Sequence, residues 1–187
     1  MRKETDIPLI FLTYVNPVFH YGLASCKTDD MTNYDPFFKR CAEVGLDGII
    51  IPDIPFEEQP PVREAAYKYG IDIISLIAPT SESRIKEIAK VSAGFIYLVS
   101  SMGVTGIRSE ITTDLASIIE TIRSVTSVPV AVGFGIHTSL QAAQTAKIAD
   151  GVIVGSAIVK IAAEYGVEAA PHIGRYVKEM KDAVKTG

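Results

Sequence analysis

Two stretches late in the chain carry residue types suited to holding an anion. In VAVGFGIHTS (Val130–Ser139) an apolar run stops at Gly133, Phe134 and Gly135 and then turns polar. In DGVIVGSAIVK (Asp150–Lys160) the pair Gly155-Ser156 joins an apolar run directly to a helix-like segment. The first N–H groups of a helix lack internal partners and carry partial positive charge, so a phosphate fits there. Glycine removes the Cβ that would hold the anion away, and Ser156 adds a hydroxyl. Each stretch alone reads equally as a tight turn in a packed core. Their occurrence on consecutive strands favours a phosphate cradle.

Other positions invite chemistry less directly. The segment SSMGVTGIRSE (Ser100–Glu110) is small, polar and glycine-bearing, and reads as either an ordinary connection or a lid hinged at its glycines. Asp53, in IPDIPFEE, sits where a strand ends, the place of a catalytic carboxylate, although Asp before a proline-rich turn is also a common cap. Glu57 and Glu58 read as first-turn helix acids. Tyr14, Asn16 and Tyr97 are placed to line a pocket, with Tyr97 equally able to pack within its strand. His20, His137 and His172 share no ligand spacing, so no metal site is expected.

Positioning these residues requires an alternation of strands and helices. Apolar runs at 7–14, 48–52, 72–78, 94–100, 128–134 and 150–155 suit strands buried on both faces of a parallel sheet. Helical patterns fall between them. One is capped by Asp35 with Pro36 at its first position, and others cover 57–69, 81–91, 113–125 and 139–147. A further helix starts after Gly155-Ser156, and a last one spans about 167–184. Such alternation means α/β. The choice lies between an open doubly wound sheet and a (β/α)8 TIM barrel. No GxGxxG comes after the first strand, and the glycines gather after the last two strands, where phosphate-binding barrels hold their ligand. An incomplete barrel of about six βα units, forming a single domain over residues 1–187, is expected.

Composition agrees with a globular protein of 187 residues, 48% hydrophobic and 21% charged. A net charge of −4 without basic runs argues against a nucleic-acid partner. No run approaches the roughly 20 apolar residues of a membrane span, and MRKETDIP is no secretory signal. The cytoplasm is the expected compartment, with Cys26 and Cys41 as free thiols.

Taken in order, FLTYVNPVFHYG, GLDGIIIPDIPFEE, IAPTSESRI, GFIYLVSSMGVTGIRSE, VPVAVGFGI and DGVIVGSAIVK resemble the tryptophan synthase α-subunit family. The resemblance runs from about Pro8 to the C-terminus. It implies a (β/α)8 barrel that cleaves indole-3-glycerol phosphate to indole and glyceraldehyde 3-phosphate in tryptophan biosynthesis. It also implies a β-subunit partner, in an α2β2 complex, that carries pyridoxal phosphate and receives the indole. The α subunit itself uses no cofactor. By motif, Gly106, Gly133, Gly155 and Ser156 would hold the substrate phosphate, with Gly135 closing the same turn. Thr105 would lie on the loop that closes the site, Tyr97 would line the indole pocket, and Phe134 would sit between phosphate and ring.

Two departures from the family pattern stand out. The family carries its acid–base glutamate in a Gly-Ile-Pro-Phe-Ser-Asp-Pro-like segment, with an aspartate in the next loop, and these 187 residues contain neither. The chain reads as beginning where the family's third strand is about to start, lacking two βα units, and MRKETD looks like a helix end leading into that strand. Little or no lyase activity is therefore expected, and a six-stranded remnant would expose its sheet edges. The second departure is a polar segment at about 24–34, ASCKTDDMTNY, which reads as a tolerated surface insertion. Two other readings remain: a non-catalytic remnant that binds phosphate or a β subunit, and another phosphate-binding barrel enzyme.

Overall fold

The computed structural model describes residues 2–26, 33–100, 111–133 and 135–186. The chain packs as two compact units, one of residues 1–76 with 92–94 and one of 77–91 with 95–187.

In the first unit, β1 (Ile10–Leu12), β2 (Gly48–Ile50) and β3 (Asp72–Ile73) form a sheet in that order, both pairs parallel. Around it lie α1 (Val15–Cys26), α2 (Asp35–Glu43) and α3 (Pro60–Lys68). Its core gathers Val18, Phe38, Ile49, Val62 and Ala66, all essentially without exposure. Phe37 meets Tyr21 and Phe38 edge-on, at 5.8 and 5.4 Å between ring centres, the orientation aromatic quadrupoles favour. β2 is buried throughout, as a central parallel strand should be. β1 is not: Phe11 and Leu12 are exposed, because among the described residues β1 has a strand neighbour on one side alone.

The second sheet runs β4 (Ser75–Ile77), β5 (Ile96–Val99), β6 (Val130–Gly133) and β7 (Gly151–Ile153). Pairs β5–β6 and β6–β7 are parallel, as the apolar runs predict. In this unit α4 (Glu82–Lys90), α5 (Ile111–Arg123), α6 (Ser139–Ala146), α7 (Ser156–Tyr165) and α8 (Ala169–Thr186) accompany the strands. Ile96, Leu98, Val130 and Val132 are fully buried with Ile85, Ala89, Ile119 and Ile122. The alternate positions Tyr97, Val99, Ala131 and Ile153 are half-buried, so burial on both faces does not extend to this sheet. No helix among the described residues is long and apolar enough to cross a membrane.

Several local expectations change. The run at 72–78 divides into β3 and β4 at Ile74, whose N–H still bonds the Ile49 carbonyl at 2.9 Å. Asp35 is not the cap of α2 but its first residue. Tyr34 holds the cap position without a side-chain bond, and the Asp35 carboxylate instead takes the Lys68 ammonium and the Tyr69 hydroxyl. The helix expected over 57–69 is a 3-10 turn, Phe56–Glu58, and then α3. Pro60 and Pro61 lack N–H donors and are tolerated only in a first turn, so the α-helix must begin with them. The sequence pattern does not announce α1. This helix extends through the start of the polar segment at 24–34, of which residues 27–32 lie outside the described residues.

Strand starts are fastened by one repeated device. Asp47 N donates to the Leu9 carbonyl at 3.0 Å, and Leu9 N donates back to Asp47 Oδ2 at 2.7 Å. Asp150 N donates to the Val130 carbonyl at 2.9 Å, and Val130 N donates to Asp150 Oδ2 at 2.9 Å. A glycine comes next after each aspartate, and each is closely packed: a Cβ at Gly48 would lie 3.0 Å from the Ile10 side chain, and one at Gly151 3.3 Å from Ala131 Cβ.

The Val130 N–H, and then the Arg123 guanidinium at 3.1 Å, hold the Asp150 carboxyl below its ordinary range. A lowered folded value stabilises above the unfolded pKa of about 4 and is lost as pH falls through the folded value. Thermal midpoints should therefore drop below about pH 4, and D150N should flatten part of that drop. At neutral pH D150N should cost about 1 kcal/mol, kept small because the carboxyl is partly solvated. Thermal melts of both proteins between pH 3 and 7 measure this.

Candidate functional site

The register Gly133↔Ile153 brings the ends of β6 and β7 level. The turn after β6 and the junction after β7 therefore emerge at the same end of the second unit's sheet. β6 ends at Gly133, whose carbonyl accepts from both the N–H and the hydroxyl of Ser100, each at 3.0 Å. Ser100 is fully buried, so the end of β5 is fixed to the end of β6.

Gly133 is a glycine for a reason its neighbours in sequence do not disclose. A Cβ there would lie 2.5 Å from the Tyr97 hydroxyl and 2.7 Å from ring carbons Cε1 and Cζ. The close approach is made by an aromatic ring on the adjacent strand. Burial raises the Tyr97 pKa, so the ring presents a neutral hydroxyl over the strand end.

Beyond Gly133 the chain turns on Gly135, whose φ of 82° lies in the left-handed region that glycine tolerates. The turn is held by its own side chains. His137 Nδ1 lies 2.8 Å from the Gly135 carbonyl. Gln141 Oε1 accepts from the N–H groups of His137 and Thr138 at 3.0 and 3.1 Å. Gln141 N returns a bond to Thr138 Oγ1 at 3.2 Å, completing a capping box at the start of α6. Ile136 is buried in the core between two exposed residues. From α8, the Tyr176 hydroxyl donates to the His137 carbonyl at 3.0 Å.

After β7, Gly155 takes the cap position of α7 with φ −122° and ψ −69°. Its carbonyl accepts from Ile158 N and Val159 N at 2.9 and 3.1 Å. The Gly155 position offers this helix no side-chain cap, and Gly155 and Ser156 are exposed. A Cβ on Gly155 would meet nothing within 4 Å among the described residues. Nothing in its own packing therefore demands glycine, in contrast to Gly133. A helix start left open in this way has N–H donors available to an anion.

The first unit holds the remaining candidates. Asp53 Oδ1 accepts from Val15 N at 2.9 Å, so this carboxylate caps the start of α1. Tyr14 and Asn16 are exposed beside that cap. Thr105, Gly106, Phe134 and the possible lid at 101–110 lie outside the described residues. Cys41 is a buried free thiol whose pKa burial pushes up to about 11, which keeps it protonated and unreactive. Sequence reasoning missed Gln141 and Tyr176. The capping-box spacing Thr138–Gln141 could have disclosed the first, whereas no local signal announces the second.

A family model described as tryptophan synthase alpha chain matches residues 1–185. The tryptophan synthase alpha chain of Lacticaseibacillus casei is 49% identical over 183 residues, covering 98% of this chain and 65% of the relative. That of Lactiplantibacillus plantarum is 46% identical over 185 residues, covering 98% and 66%. The chain thus spans just under two thirds of the length of these curated relatives. Among solved structures, the tryptophan synthase subunit alpha from Campylobacter jejuni superposes with a TM-score of 0.77 at 33% identity, over 96% of this chain and 64% of that one. A chain of the tryptophan synthase a2b2 complex from Pyrococcus furiosus gives 0.80 at 32% identity, over 97% and 69%.

The Tyr97–Gly133 approach is directly testable. G133A should destabilise by about 1–3 kcal/mol, the range for overpacking. Combined with Y97A, its cost should shrink, giving a coupling energy of about 1–3 kcal/mol in a double-mutant cycle measured by urea unfolding. Additive costs would show that the ring is not the obstacle.

Proposed function

The chain belongs to the tryptophan synthase alpha chain family, and from that premise we propose that it holds the phosphate of indole-3-glycerol phosphate between the turn after β6 and the start of α7. The supporting observation is the uncapped, exposed α7 start at Gly155-Ser156, at the same end of the sheet as the Gly133–Gly135 turn. Backbone N–H groups at that helix end supply donors and partial positive charge, Ser156 supplies a hydroxyl, and Gly135 and, by the family motif, Gly106 would put no side chain in the way, while Gly133 makes room for the Tyr97 ring. Tyr97 and Phe134 would line the remainder of the pocket, and Thr105 would lie in the segment that closes over it.

The parent reaction is a reverse-aldol cleavage, a lyase step of tryptophan biosynthesis in the cytoplasm. A proton is delivered to the indole ring while another leaves the glycerol hydroxyl, and the carbon–carbon bond between them breaks to give indole and glyceraldehyde 3-phosphate. No cofactor is needed for this in the α chain, and pyridoxal phosphate belongs to a partner β subunit that consumes the indole. Two positioned acid–base groups are required. These 187 residues hold no Gly-Ile-Pro-Phe-Ser-Asp-Pro-like segment. The candidate carboxylate Asp53 bonds a backbone N–H. On this reading the chain by itself binds the phosphate end of the substrate and turns it over slowly or not at all.

Titration calorimetry with glycerol 3-phosphate should show saturable binding, weakened about fivefold by S156A, the worth of one hydrogen bond. The same chain given indole-3-glycerol phosphate should release no indole above background. Absence of glycerol 3-phosphate binding would overturn the phosphate assignment, and ordinary turnover would overturn the acid–base argument.

A further inference from the structure

We propose that Tyr176, on α8, is a positioning residue for the Gly135–Thr138 turn, and that through it the last helix sets how well the phosphate is held. The inference rests on the phosphate reading above. Most bonds of the turn are local: His137 to Gly135, and Gln141 to His137 and Thr138, lie within seven residues of chain on an exposed edge. Such bonds shape the turn but do not place it in the unit. Ile136 anchors one point in the core. The Tyr176 hydroxyl supplies a second point, 39 residues away in sequence, at the His137 carbonyl.

The tyrosine itself is well held. Its ring packs on the second unit's core and lines an apolar cavity of about 320 Å³ with Ala142, Val152, Ile158 and Met180. Those residues belong to α6, β7, α7 and α8. α6 comes directly after the turn, and α7 begins at Gly155-Ser156, so the ring shares a cavity with the elements that carry both halves of the proposed cradle. A ring fixed among them brings its hydroxyl to one height above α6. The carbonyl it binds, and the N–H groups attached to that peptide segment, then hold one distance from the α7 start.

Tyr176→Phe deletes the hydroxyl and keeps the ring, so packing is preserved while the tie is cut. Hydrogen exchange of the ligand-free chain should accelerate about tenfold at residues 135–138, with β6 exchange unaltered and the thermal midpoint within about 2 °C of the natural chain. The Kd for glycerol 3-phosphate should rise about fivefold, the equivalent of one lost hydrogen bond. Tyr176→Leu, which also removes the ring, should lower the midpoint itself. Unchanged exchange at 135–138 in the Phe variant overturns the positioning role, as does a falling midpoint with no local change. If the natural chain binds no glycerol 3-phosphate, the phosphate reading fails, while exchange at 135–138 still decides whether Tyr176 places the turn.

Discussion

Register in both sheets depends on where the strands start, and that is set by a carboxylate bonded to a neighbouring backbone. Asp47 and Asp150 each make a reciprocal pair of bonds with a residue at the start of the adjacent strand run. A parallel ladder has evenly spaced bonds and little intrinsic register preference, yet a slip of one residue would exchange its two faces. A two-point clamp at the strand start removes that freedom. The glycine after each aspartate lets the adjacent chain approach to 3.0 Å, at Gly48, and 3.3 Å, at Gly151, of where a Cβ would sit.

The clamp at Asp150 has its consequence at the other end of the strands. With the Val130 start fixed, Gly133 falls opposite Ile153 and Val99. The Tyr97 ring then overlies Gly133, the Ser100 hydroxyl reaches the Gly133 carbonyl, and the Gly155 cap of α7 stands just beyond the level of Gly133. A strand start and the turn at the strand's far end, about 10 Å apart at about 3.3 Å per residue, are thus one construction. Order is concentrated at the start, and exposure is left at the other end, at Gly135, His137, Gly155 and Ser156.

The two glycine-bearing strand ends serve different physical ends. At Gly133 the constraint is steric and internal, a neighbouring aromatic ring. At Gly155 no described atom crowds the position, and the open helix start is what glycine preserves. The exposed, uncapped start of α7 at Gly155 has the free N–H donors that suit an anion.

Much of this was legible in the residues alone. Apolar runs, helix stops such as Gly70 at φ 69°, and the strand–glycine–helix junction at Gly155-Ser156 are patterns within a few residues. They report local conformation faithfully, and the parallel α/β class can be read from them. What tertiary structure alone decided lies in contacts between distant segments. Asp53 caps a helix whose first residue is 38 positions earlier, which explains why α1, lacking a local cap, escaped the pattern. Asp35 is a partner of Lys68 and Tyr69 rather than a cap for the same reason. Tyr97 on Gly133 and Tyr176 on His137 likewise join residues that no spacing rule links. Local sequence sets which backbone shapes are cheap, but a side chain roughly 30 or 40 residues away finds its bonding partner only once both elements have packed.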